Sequence, residues 1–433
     1  MVTEGLAFPL APVRSRFAPW IAEAGFVALL LLVFVGLSPF EVRDATTMVA
    51  GSGTGNIARQ ISYVLIFTVV LAAAYDRHRL DALSIVPLGF VVLLCWCLLS
   101  AAWAGAGGIT VRRAGLEFIV VFSAMLSVNT IGAERALRLW RHVLVGVLIV
   151  NWLSIPILPQ AVHLAGENDP SLIGDWRGLY FHKNIAGSVS AVSAMIFLYD
   201  FLRGRRWLDL GLFLAALGFL AMTHSKSSLG FLPAALLLGA VYRLAWRRDL
   251  DRLIVTLLAV LLFVVIAALV ATHADQISRV LQDPAEFTGR TAIWQAEIDY
   301  IRDHTWLGAG YGTFADTGGK SPLHNYVDAK WVGTVSHGHN GYLQLLVTIG
   351  IIGFALAMVA FVAMPLLDFW RRDMEQLPLK SLLFAIFTFV LMHNLLESDW
   401  LESDGPTWVG FVMMVAMMRT MRPRAVQWQG GAP

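Results

Sequence analysis

The feature that most constrains this chain is the recurrence, from about residue 20 to about residue 420, of apolar runs of roughly 18 residues or more. Lipid offers no water to backbone N–H and C=O groups, so a run buried in it must close its own hydrogen bonds, as a helix or within a closed barrel. A barrel strand needs only ~10 residues of alternating polarity, and these runs are longer and uniformly apolar. RLIVTLLAVLLFVVIAALVA at 252–271 is the plainest case. Charged residues make up 14% of the chain, against about 25% in a soluble domain, which excludes a soluble globular fold. The expected fold is an all-α polytopic membrane protein with about 12 transmembrane helices, at 20–38, 57–75, 84–102, 114–131, 142–159, 184–201, 207–223, 228–245, 252–271, 341–365, 380–396 and 404–419. The two cysteines, Cys95 and Cys97, sit inside an apolar run and read as core thiols, not a disulfide or zinc framework.

Orientation follows from where Lys and Arg fall. With the N-terminus inside, every inner segment is basic: Arg14/Arg16 ahead of an uncleaved first span, Arg77/Arg79, Arg135/Arg138/Arg141, Arg203/Arg205/Arg206, Arg243/Arg247/Arg248/Arg252, Arg371/Arg372/Lys380 and Arg419/Arg422/Arg424. Both termini are therefore expected in the cytoplasm. Three regions result: a bundle of nine spans at 1–271, one large outer loop with short helices at 272–340, and three spans with a short cytoplasmic tail at 341–433.

A loop that long is functional or disordered, and this one carries order signals. TGRTAIWQAEIDYIRDH puts Ile293, Ala296/Glu297 and Ile301 at helical spacing, with Trp294 and Tyr300 beside that stripe. The GAGYG string at 308–312 lacks the strand–turn–helix context of a nucleotide loop and reads as turn glycines. SHGHN holds two histidines, His337 and His339, but an i,i+2 pair without cysteine or HExxH spacing is weak as a metal site.

His339 opens a span at its outer end, where an imidazole can accept a proton near ambient pH; a hydrogen-bonded interfacial histidine is the plainer alternative. Asn340 can cap the following helix and so fix the imidazole's angle. The cations on the outer side stand apart from the inside-positive pattern: Arg112 and Arg113 before the fourth span, Lys183 before the sixth, Lys226 between the seventh and eighth, and Arg290 in the loop. Singly each can lay its stem along lipid, but together they suggest a basic bowl for an anionic ligand. Arginine matches phosphate oxygens bidentately and lysine binds them as a point charge, so such a bowl could stabilise a departing diphosphate. Glu117 follows Arg113 by four and reads as its helical ion pair. Glu397, in HNLLESDW, reads as helix-end polarity or as the orienter of a catalytic group.

RGLYFHKN before the sixth span, THSKSS between the seventh and eighth, TGRTAIW, SHGHNGYLQLLVTIGIIG and HNLLES occur in that order over residues 112–400. In this order and topology the chain resembles the O-antigen ligase and O-antigen polymerase superfamily, and within it the exopolysaccharide-polymerase-like branch. The resemblance implies an inverting glycosyltransferase on the periplasmic face of the bacterial inner membrane, with no metal or other cofactor. It implies an undecaprenyl-diphosphate-linked oligosaccharide donor and a glycan or lipid A core acceptor. It maps the base that activates the acceptor hydroxyl to His339, and the diphosphate-holding positions to Arg290 and Lys226; Arg112, Arg113 and Lys183, from the basic bowl, are further candidates. His337, Asn340, Tyr342, Trp294 and Glu397 are supporting candidates. Ligases often carry arginine where Lys226 stands, so a polymerase is the first expectation and a lipid A core ligase the second.

Expected partners are the bilayer, the lipid-linked donor, the acceptor and a flippase or chain-length regulator, with no nucleic acid. A 12-span secondary transporter is the rival from another class. Transporters hold their sites near the midplane on broken helices, whereas polarity here collects in the outer loop.

Overall fold

The structure, a computed structural model, describes residues 19–42, 55–165, 167, 170–246, 290–327, 338–371 and 375–421. Helices dominate, and no strand occurs among the described residues. In chain order they are α1 (Pro19–Phe34), α2 (Ile57–His78), α3 (Leu88–Leu99), α4 (Gly107–Ile131), α5 (Ala133–Ser154), α6 (Lys183–Gly204), α7 (Trp207–Met222), α8 (Lys226–Ala245), α9 (Arg290–Asp303), α10 (Gly341–Met358), α11 (Met364–Trp370), α12 (Leu377–His393) and α13 (Pro406–Thr420). Six helical stretches are long and apolar enough to cross a bilayer, and four shorter helices are also strongly apolar. The chain is a multi-pass membrane protein. The ninth expected span, 252–271, lies outside the described residues; each of the others overlaps a helix.

Helix α5 departs from expectation in starting at Ala133, so Arg135, Arg138 and Arg141 ride on the helix itself. The reason is pairing. Arg135 meets Glu23 at 2.6 Å, and Arg141 meets Asp200 at 2.7 Å and also the buried Asp209. Charges neutralised this way no longer end the helix at the first arginine.

Segment 305–310 is fastened to the bundle through a break in α10. Gly350 sits at φ 66°, a left-handed conformation that glycine adopts without penalty, and this opens the helix's hydrogen-bond ladder. Segment 305–310 fills the gap. Ala309 N donates to Val347 O at 2.9 Å, Gly310 N to Thr348 O at 2.8 Å, and Ile351 N to Thr305 O at 2.9 Å. Trp96 of α3 closes the set by donating to Ile349 O at 3.0 Å. Irregular backbone beside membrane helices survives only where protein satisfies it, and here one segment satisfies the other. The GAGYG string supplies the tight path expected of it, since Gly308, Gly310 and Gly312 all have positive φ. The expected loop helix is α9, and it buries Ile293, Trp294, Ala296, Glu297 and Tyr300. With Phe314, Leu323 and Val347 of α10, its apolar face builds a small core separate from the main one. That core fixes α9 against the first turns of α10.

Candidate active site

His339 immediately precedes the N-cap of α10, and several local devices hold it there. Asn340 caps the helix as expected, accepting from Tyr342 N at 3.0 Å and Leu343 N at 3.1 Å. Its amide also donates to Leu395 O at 3.2 Å. Gly341 N donates to Asn394 O and Glu397 O at 2.8 and 2.9 Å, and Tyr342 donates its hydroxyl to Leu391 O at 2.9 Å. A side chain on Gly341 would overlap Asn394. The segment that follows α12 is therefore the mould in which the His339 turn is cast. On the other flank Trp294 of α9 donates to Gly338 O at 2.7 Å. His339 itself has φ 52°, a region that non-glycine residues occupy at a cost and that recurs at functional sites.

Glu397 is the hub. His339 Nδ1 lies 3.1 Å from its Oε2, Asn184 Nδ2 donates to its Oε1 at 2.6 Å, and Arg290 Nη2 reaches Oε1 at 3.1 Å. Arg290 also donates through Nη1 to Leu396 O at 2.5 Å. The carboxylate is buried, and burial alone would push it upward. The hydrogen bond and charge of His339, with the charge of Arg290, outweigh that and hold it well below the usual carboxylate range. An ionised carboxylate only accepts, so His339 turns an Nδ1–H toward Glu397, and in the neutral ring that tautomer places the lone pair on Nε2.

A second cluster adjoins the first. Asp175 binds Lys183 Nζ at 2.5 Å and His224 Nδ1 at 2.5 Å, which ties the start of α6 to the α7–α8 turn. His163 is buried; it donates through Nδ1 to Glu167 at 2.6 Å and accepts the Lys183 backbone N–H at 3.2 Å. His182, the N-cap of α6, accepts from Asn184 N at 3.2 Å. Its ring lies 5.5 Å from that of His163 and 6.5 Å from that of His339. Helices α6, α9 and α10 thus begin around Glu397, and α8 begins beside Asp175. Helix N-termini carry partial positive charge and favour anions.

The structure therefore brings together His339, Arg290, Glu397, Asn340, Tyr342 and Trp294, with Lys183 in the adjoining cluster. Lys226 is the first residue of α8 and exposed, and it makes no ion pair among the described residues. Arg113 is elsewhere: it holds the loop by donating to Gly312 O and pairing with Asp316 at 2.6 Å. Half-buried Arg112 is its neighbour on α4, and the partners of Arg113 are Gly312 and Asp316, not the Glu397 cluster. The expected Arg113–Glu117 pair does not form. Glu117 instead accepts from Trp408 Nε1 at 2.6 Å and lies 3.3 Å from the Tyr311 hydroxyl, because α13 and the loop reach it from the side that its own helix leaves open. His337 lies outside the described residues. Sequence reasoning passed over His182, Asn184, His163 and His224. Only RGLYFHKN and THSKSS, as whole motifs, pointed near them.

Residues 211–358 match the family described as O-antigen ligase. The superfamily resemblance read from the motifs is supported over that stretch. It runs from α7 to the end of α10 and carries Lys226, Arg290, Trp294, His339, Asn340 and Tyr342. Glu397, Asn184, His182, Lys183, Arg112 and Arg113 lie outside it, and the fold brings the first three of these to His339. A search of curated proteins found no match.

Proposed function

We propose that the protein is a glycosyltransferase that moves a glycan from a lipid-linked diphosphate to a sugar hydroxyl, working on the periplasmic face of the bacterial inner membrane. The observation that carries this reading is the ionised Glu397 holding His339 Nδ1 while Arg290 shares the same carboxylate, next to the matched O-antigen ligase stretch. His339 Nε2 takes the proton of the acceptor hydroxyl. The oxygen attacks the anomeric carbon from the face opposite the diphosphate, the bond from that carbon to the diphosphate oxygen breaks, and undecaprenyl diphosphate leaves with the electron pair. One displacement inverts the configuration.

Positive charge serves the departing diphosphate. Arg290 has five N–H donors and uses two on Leu396 and Glu397, so the rest of its fork is available to phosphate oxygens. The first turns of α6, α8 and α10 add their dipoles, and exposed Lys226 adds a charge. Lysine at that position favours a polymerase of exopolysaccharide or O-antigen; the description of the matched family favours an O-antigen ligase.

The glycan profile of a deletion strain, complemented with wild type or His339→Ala, tests the reading. A polymerase leaves single repeat units in place of long chains, and a ligase leaves long chains on undecaprenyl diphosphate. In either case His339→Ala fails to complement although it inserts normally. Unchanged glycans in the deletion strain contradict the proposal and favour a transporter.

A further inference from the structure

We propose that His393 is a positioning residue for the transfer: its imidazole ties the turn that carries Glu397 to the turn that carries Lys226. The carboxylate that holds the base and a cation for the diphosphate thereby keep a fixed spacing; this rests on the transfer reading above. Three side chains outside the Glu397 cluster stand in the order serine, imidazole, carboxylate. Ser228 Oγ lies 3.1 Å from His393 Nε2, and His393 Nδ1 lies 2.6 Å from Asp399 Oδ2.

That order is the one in which a serine nucleophile is activated, but the surroundings exclude that role. Ser228 and His393 are fully buried. Helix α6 lies across the serines at Gly187, where one added carbon would come within 2.6 Å of Ser225 Cβ and 3.1 Å of Ser228 Oγ. Ser225 Oγ also donates to Ser228 Oγ at 3.1 Å. A hydroxyl carries one proton, so Ser228 accepts from Ser225 and turns its own proton to His393 Nε2, while Nδ1–H donates to Asp399. Both nitrogens of the neutral ring are then matched, as a buried fastener requires.

What the ring fastens bears on the site. On one side, residues 393–400 form a closed hook: Glu397 N donates to His393 O at 2.9 Å, and Asn394 Oδ1 accepts from Asp399 N at 2.9 Å and from Trp400 N at 3.0 Å. The bond from His393 to Asp399 crosses this hook, which presents Glu397 to His339 and Arg290. On the other side, Ser225 immediately precedes α8 and Ser228 lies in its first turn, with Lys226 between them. Helix α6 joins the two sides, since Asn184, three residues before Gly187, donates to Glu397. Cutting the bond between Ser228 and His393 therefore loosens the start of α8 from the hook without touching a group that meets substrate.

A double-mutant cycle tests this. Purified wild type, Ser228→Ala, Lys226→Ala, the double variant and His339→Ala are compared for transfer from an undecaprenyl-diphosphate-linked glycan. Rates are taken per mole of folded protein below the lowest melting temperature. Ser228→Ala cuts the tie and leaves the ring's bond to Asp399; it is expected to lower kcat by ~10-fold, as is Lys226→Ala. The double variant is expected within about threefold of either single variant, because a displaced charge has little left to lose. Losses that multiply, or either single variant at the wild-type rate, with His339→Ala inactive, overturn the positioning role and leave the transfer reading standing. An active His339→Ala removes the transfer reading and this inference with it. If Ser228→Ala melts far below wild type, His393→Asn, whose amide still offers an N–H to Asp399, takes its place in the cycle, and the same outcomes decide.

Discussion

Two glutamates buried near the same end of the molecule have opposite company. Glu397 is bonded by an imidazole, a guanidinium and an amide, drawn from α10, α9 and α6. Glu117, on α4, takes an indole N–H from α13 and has a tyrosine hydroxyl from the loop beside it. The Tyr311 hydroxyl also donates to Leu401 O at 2.6 Å, and the Tyr311 backbone N–H bonds Ser100 at 2.8 Å. Both carboxylates tie three pieces of chain together. Only Glu397 does so through a group that can change its protonation state during a reaction. The contrast separates a site from a joint: buried acids become chemical where their partners are titratable and open to a ligand, and structural where the partners are neutral and enclosed.

The largest effect is expected at Glu397. Glu397→Gln keeps the size, but its amide no longer selects the Nδ1–H tautomer of His339 and no longer offsets Arg290. Transfer by the purified protein should fall by ~100-fold or more; a fall of less than threefold would erase the distinction between the two glutamates. Next comes Arg290. Arg290→Lys keeps the charge but cannot span Leu396 and Glu397 together, so a loss of ~10-fold is expected, with Arg290→Ala lower still. Equal rates for the lysine and alanine variants would remove the geometric role of the guanidinium.

Glu117→Gln should behave differently. The amide oxygen still accepts from Trp408, so transfer stays within a few-fold of wild type. Glu117→Leu strands that indole N–H and is expected to cost ~1–3 kcal/mol of stability. Thermal melts and rates on the two variants together would show whether this junction is purely a fastener.

How far the sequence reached follows the same division. Apolar runs are local signals, so the helices were legible, as were the α9 stripe, the turn glycines and the Asn340 cap. Motif context singled out His339 and Arg290, and the fold brings both onto the Glu397 carboxylate. The Arg113–Glu117 pairing was misread because an i,i+4 rule sees one helix, whereas Trp408 and Tyr311 come from nearly two hundred or more residues away. His182 and Asn184 were passed over for a related reason. Their roles depend on α6 starting where the segment after α12 ends, a tertiary fact with no local trace.

The smallest expected effects are pH-dependent, and they differ in sign. Glu397 is held below its ordinary value in the fold. Its contribution to stability is therefore full above the unfolded value of ~4.3 and is lost as pH falls toward the folded value. The melting-temperature gap between wild type and Glu397→Gln should narrow on acidification below that point. Glu297 is the reverse case. Fully buried, with no hydrogen-bond partner among the described residues, its carboxyl is pushed up to about 8 by burial. The fold then pays for keeping it protonated at neutral pH, and the penalty vanishes below ~4.3. Glu297→Gln should raise the melting temperature at pH 7 by ~2 °C or more, with the gain disappearing toward pH 4. A gain independent of pH would assign the effect to packing.

The central claim is that His339, held by Glu397, activates the acceptor. Its most direct test is transfer by purified His339→Ala from an undecaprenyl-diphosphate-linked glycan to a sugar acceptor, read beside donor binding. The account predicts product formation lowered by at least ~100-fold with donor binding retained. Product at the wild-type rate would contradict it.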